Sequence, residues 1–236
     1  MGETTDIAHG ERHRALVERL ATNLKPVRRL WPVRARLGLW LILQAGVLAW
    51  VVTHTDNDFM TKLEGTRYLL EVALFAGAAI FAALAALRTA IPGLQVPAGE
   101  IAITIGMVLT GTGLVMTQPL HMGYPLSEFI NVGRRCAIET CILAAAPWAA
   151  LSCAVKRGAP MRGGVAGLAA GGAAVLFSFA WMRIKCPIDE RLHLLVWHFV
   201  PALVIAVLSA LAGAVWLRFR PRPLSTITPL SAQRRD

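Results

Sequence analysis

Two cysteines and the groups beside them are the residues of this chain best equipped for chemistry. Cys136 is followed three residues on by Glu139, a spacing that sets thiol and carboxylate on one face of a helix. Cys186 opens the run Cys186, Pro187, Ile188, Asp189, Glu190, Arg191, Leu192, His193, with His198 a little further on. Thiolates favour soft metals and imidazoles accept borderline ones, so Cys136 and Cys186 are candidate metal ligands or redox-active thiols. Glu139, Asp189, His193 and His198 are candidate supporting groups. No spacing here matches a zinc signature built on paired C-x-x-C elements, and a disulfide requires Cα atoms within roughly 7 Å. Bridge and metal site both stay open. A last helix starting near Asp189 would carry His198 about two turns deeper, able to meet Cys186 only if the loop folded back. His193 and Asp189 are the nearer prospects.

What must position these groups is set by composition. Hydrophobic residues make up 56% of the chain and charged residues 16%, outside the usual range of a soluble domain. A hydrocarbon layer about 30 Å thick needs roughly 20 apolar residues per helical span. Windows of that kind occur six times, near residues 37–53, 68–87, 100–117, 136–155, 163–182 and 193–217. The expected fold is therefore all-α, an integral membrane bundle of six transmembrane helices. It divides into an amino-terminal segment (1–36), a membrane domain (37–217) and a tail (218–236), this last rich in Pro, Ser and Thr and expected to be disordered. The first window lies too far from Met1, behind too many charges, for a cleavable signal peptide.

Lys and Arg excess in short loops marks the cytoplasmic side. With the amino terminus inside, seventeen of the 24 Lys and Arg residues fall on that side and seven on the other. Both termini are thus expected in the cytoplasm, and Cys136 and Cys186 at the outer edge of the membrane. The net charge of +10 reads as a topology signal, with no direct nucleic-acid binding expected.

Within the spans, Gly163, Gly167 and Gly171 recur at four-residue spacing, which lets membrane helices approach closely and predicts a central fifth helix. Pro147 and Pro201 are expected to bend the fourth and sixth. Glu71 lies four residues after Arg67 and can pair with it on one face. Cys141 and Cys153 read as small hydrophobes. Ahead of the spans, Leu16, Val17, Leu20, Leu24 and Val27 fall on one face of a short basic amphipathic helix, suited to the anionic leaflet or to the groove of a cytosolic partner.

The succession Pro26, Val27, Arg28, Arg29, Leu30 before the first span, Gly133 and Cys136 by the fourth, Arg157, Gly158, Ala159, Pro160 after it, the Gly-rich fifth span, then Cys186, Pro187, Asp189 and Trp197 with His198 closely resembles the negative-regulator-of-sigma-F family. The resemblance runs from about Leu16 to Arg218. It implies a six-helix anti-sigma factor of the bacterial inner membrane. Such a protein requires no cofactor. It holds an extracytoplasmic-function sigma factor and releases it under heavy-metal or related stress, the metal ion being a transient signal. The family's paired cysteines map onto Cys136 and Cys186, and the helix of Leu16, Val17, Leu20, Leu24 and Val27 becomes the element that binds sigma. Cys141, Cys153 and the long tail depart from the family pattern. Two other classes compete. A quinone-linked thiol oxidoreductase draws on a close pair such as C-x-x-C, which Cys136 and Cys141 do not form. A small transporter would use Glu71 and Glu139, but inverted repeats are not evident.

Overall fold

A computed structural model of the chain describes residues 14, 17–18, 30–55, 64–120 and 125–217. It divides into two units, Met1–Trp31 and Pro32–Asp236. In the first, Arg14, Val17 and Glu18 are helical and exposed. Leu16, Leu20, Leu24 and Val27 lie outside the described residues, as does the tail from 218.

The second unit is built of six helices: α1 (Val33–Thr53), α2 (Thr66–Thr89), α3 (Ala98–Met116), α4 (Leu126–Lys156), α5 (Gly163–Lys185) and α6 (Arg191–Trp216). No strand occurs among the described residues. All six are long and apolar enough to cross a membrane, as expected of a membrane protein. Pro32, Pro97 and Pro125 stand immediately before α1, α3 and α4, where a residue without an N–H leaves no donor unsatisfied.

Helix α5 is the centre of the bundle. Of its most apolar window 72% is buried, against 17 to 39% for the others, and it packs on α2, α4 and α6. The reason is the small-residue face read from the sequence. A methyl placed on Gly167 would lie 2.3 Å from the Ser209 carbonyl oxygen and 2.9 Å from Gly213 Cα of α6. Backbone therefore meets backbone, and the Ser209 hydroxyl donates to the Gly167 carbonyl at 2.7 Å while accepting from Trp148 Nε1 at 2.6 Å.

The helix boundaries differ from the hydropathy windows, and three of the starts matter here. Helix α1 begins at Val33, so Arg34 and Arg36 are helical, and buried Arg36 donates to the Ala154 carbonyl at 3.3 Å. Helix α4 begins at Leu126, so Cys136 sits ten residues into it instead of opening it, at about 15 Å from its start. The window stopped at Arg134 and Arg135 because they are charged. Both are exposed, whereas Phe129, Gly133 and Cys136 turn inward on the same helix. Helix α6 begins at Arg191 and contains a wide turn at Leu195–Phe199, closed by the Val200 N–H on the Leu195 carbonyl.

Candidate functional site

The wide turn of α6 builds the site. Pro201 has no N–H to offer the Trp197 carbonyl, and its ring crowds that position. The turn before it takes up the strain with a bond to the fifth residue back, the geometry of a π-bulge. In a regular α-helix His193 and His198 would point about 140° apart. One extra residue in the turn brings His198 close to where an i+4 neighbour would stand, and the ring centroids of His193 and His198 lie 5.4 Å apart. Both are fully buried.

Opposite them stand the two thiols. Cys136 of α4 and Cys186, the residue that follows α5, are both buried, with their Sγ atoms 3.8 Å apart, well beyond disulfide length. Cys186 Sγ is 3.5 Å from His193 Nε2. A ligand atom from each of Cys136, Cys186, His193 and His198 lies within 4.8 Å of all the others. The Cys186 thiol is held well below its ordinary range by the hydrogen bond from Cys136, opposed by burial and helped by the imidazoles of His193 and His198. Aromatic rings close the site: Phe129 meets His193 and Trp197, and Phe179 meets His198 edge-on. Trp197 fits because position 133 is glycine, where any Cβ would fall 2.1 Å from the indole.

The sequence-predicted residues therefore separate into two groups. Cys136, Cys186, His193 and His198 come together, and His198 does so without any refolding of the loop, contrary to the expectation from helical spacing. Glu139 and Asp189 do not join them. Glu139 pairs with Lys185 at 2.9 Å, because its i+3 position from Cys136 lies nearer the surface of α4. Asp189 pairs with Arg183 Nη1 at 2.5 Å. Cys141 and Cys153 are exposed on α4, away from the site.

Sequence reasoning missed Arg183 and Thr140. Arg183 is buried in α5 three residues before Cys186, with Nε and Nη2 each 3.0 Å from Glu71 Oε2. Glu71 also pairs with Arg67 at 3.2 Å, as its i−4 spacing predicted. Arg67 in turn donates to the Leu114 carbonyl, and Arg191 to the Met116 carbonyl at 2.7 Å. Counted among the cations of the outer loops, Arg183 carried no sign of burial. Its position in the last turn of the glycine-rich helix expected at the centre of the bundle was the available clue. Thr140 donates to the Cys136 carbonyl at 2.9 Å and stands 3.5 Å from His198 Nδ1.

Residues 20–219 match the family described as Negative regulator of sigma F. The chain belongs to that family. No curated protein and no solved structure matches it. As a negative regulator of sigma F, the chain is a regulator by class, with a sigma factor as its implied partner. Within this family member the four-donor site lies at one end of the bundle. The helix bearing Cys136 is fastened to α1 by Trp40 Nε1 on the Pro147 carbonyl at 2.9 Å and by Arg36 on the Ala154 carbonyl. The helix preceding Cys186 is fastened to α1 by Trp181 Nε1 on Gln44 at 3.3 Å. The segment ahead of α1 is the amino-terminal one.

Proposed function

We propose that this chain is an inner-membrane anti-sigma factor, with both termini in the cytoplasm, that sequesters an extracytoplasmic-function sigma factor and releases it when heavy metal or oxidant reaches Cys136 and Cys186 from the outer side. The observation that carries this reading is the pair of buried thiols 3.8 Å apart, one on α4 and one at the end of α5, two of the three helices that pack on α1. Family membership supports a sigma partner, and the distribution of Lys and Arg supports the orientation. In the sequence, the segment that contains Leu16, Val17, Leu20, Leu24 and Val27, the proposed sigma-binding face, immediately precedes α1. A signal that draws α4 and the end of α5 together or apart changes the setting of α1, and the populations of holding and releasing states shift with it.

The test is a transcriptional reporter driven by the partner sigma. Replacing either Cys136 or Cys186 with Ser is expected to abolish the response to metal or oxidant while leaving sigma held. An intact response in either variant overturns the sensing mechanism. Leu20→Glu combined with Leu24→Glu is expected to free sigma constitutively, and continued repression overturns the docking face.

A further inference from the structure

We infer that Cys136, Cys186, His193 and His198 form a closed tetrahedral site for a thiophilic divalent cation of the zinc and cadmium class. The inference names the ligand of the thiol site proposed above and rests on that reading for its consequence, though not for the binding itself.

The first support is metrical. Zinc takes thiolate sulfur at about 2.3 Å and imidazole nitrogen at about 2.0–2.1 Å, so the edges of a tetrahedral site are close to ~3.8 Å for S···S and ~3.6 Å for S···N. The Cys136–Cys186 sulfur separation is 3.8 Å and the Cys186–His193 sulfur–nitrogen separation is 3.5 Å. A disulfide would need the sulfurs at about 2.05 Å. All four donors lie within one 4.8 Å cluster and all four residues are buried, so the protein fills every position, as in a structural rather than a catalytic zinc site.

The second support is a buried nitrogen without a well-formed hydrogen bond. The Thr140 hydroxyl spends its proton on the Cys136 carbonyl, which leaves its oxygen to accept from His198 Nδ1–H at 3.5 Å. That assignment makes Nε2 of His198 the lone-pair nitrogen, which lies within 4.8 Å of the other three donors without a hydrogen bond of ordinary geometry, although His198 is only 1% exposed. A buried acceptor without a partner is costly, and a cation satisfies it. Fixing one imidazole nitrogen by a neighbour so that the other faces the metal is the usual arrangement around metal-bound histidine. Thr140 is thereby a positioning residue, and the π-bulge ahead of Pro201 is what carries His198 to the site.

Charge balances as well. Binding takes both sulfurs as thiolates, any thiol proton passing to water, and forms two metal–sulfur and two metal–nitrogen bonds, with no change of oxidation state. Two thiolates neutralise the dication, so the filled site adds no net charge to a buried environment. The cation joins three elements, α4, the end of α5 and α6, at a point where only hydrogen bonds and packing now join them.

The experiment uses the full-length protein, purified reduced and metal-free in detergent micelles. It is titrated with Co²⁺ as an optical probe and then challenged with Zn²⁺ or Cd²⁺. The expected result is one Co²⁺ per chain, with the visible spectrum of a tetrahedral thiolate site, displaced by either competitor. His198→Ala is expected to lose the four-coordinate spectrum, and Cys136→Ser to lose binding. Thr140→Val, which keeps side-chain volume, is expected to keep the spectrum and weaken affinity about 10- to 100-fold. Absence of stoichiometric binding by the wild-type protein overturns the inference, as does binding that His198→Ala leaves unchanged. Folding of each variant is checked by circular dichroism and gel filtration, and a variant that fails these is replaced by His198→Gln or Cys136→Ala. If no metal binds but the reporter still requires both cysteines, the site inference falls and the functional reading stands. If metal binds as expected but the reporter ignores both cysteines, the reverse holds.

Discussion

The two ends of α5 are held in opposite ways. At its start, Gly163 and Gly167 let the helix backbone rest directly on Gly213 and the Ser209 carbonyl of α6, a contact of fixed shape with no titratable group in it. At its end, Arg183 is locked among Glu71 and Asp189, and Cys186 faces Cys136 and two histidines. Close-packed backbone admits one arrangement, because any separation forfeits dispersion contacts outright. A cluster of ligand atoms a few ångströms apart admits two, with and without an occupant. On the proposed reading, a single central helix combines a fixed end with a responsive one, which is what a bundle needs if an event at one edge is to move helices rather than loosen them.

That contrast can be broken most severely at the charged end. Arg183→Met takes the closest partner from the fully buried side chain of Glu71, and the expected loss is about 3–5 kcal/mol, read from thermal or denaturant unfolding in micelles. The double change with Glu71→Leu is expected to recover most of it. If Arg183→Met alone is neutral, the pair contributes nothing to holding α2 on α5.

At the glycine end, Gly167→Leu drives a side chain into Ser209 and Gly213. The expected cost is about 3 kcal/mol or somewhat less, as for overpacking generally, measured by the same unfolding. Its metal stoichiometry is expected to persist wherever the protein stays folded, since the four ligands lie at the other end of the helix. Loss of binding in a folded Gly167→Leu protein would mean that the two ends are not separable.

The smallest effect belongs to Lys185→Gln, which removes the pair with Glu139. Both side chains are partly exposed, at 18% and 39%, and such pairs contribute less than about 1 kcal/mol. A larger loss would bring Glu139 into the responsive cluster, where its spacing from Cys136 first suggested it belonged.

Much of this architecture was legible in the residues. Six apolar windows are a one-dimensional property, since a helix in hydrocarbon must satisfy its own backbone and needs about the same length each time. The glycine stripe at residues 163, 167 and 171 was equally direct, because only close helix contact explains small residues at that period. The pairing of Arg67 with Glu71 followed from i, i+4 geometry. Where a helix begins was less legible: Arg134 and Arg135 ended the hydropathy window, but they face outward from a helix that had started at Leu126.

The sequence by itself therefore determined the class, the number of spans and the central helix, and placed the two cysteines toward one edge, because each depends on composition or on the regular period of a helix. That their sulfurs meet was decided by the packing of α4 against the end of α5. Tertiary structure alone decided that His198 joins them and that Glu139 and Asp189 do not. A π-bulge changes the helical period at one place, and that shift cannot be read from the spacing of His193 and His198. The ion pairs that claim Asp189 and Glu139 come from residues on other helices or turns, and the burial of Arg183 beside Glu71 comes from helices 112 residues apart in sequence. Long-range partners are fixed by packing, which no local pattern encodes.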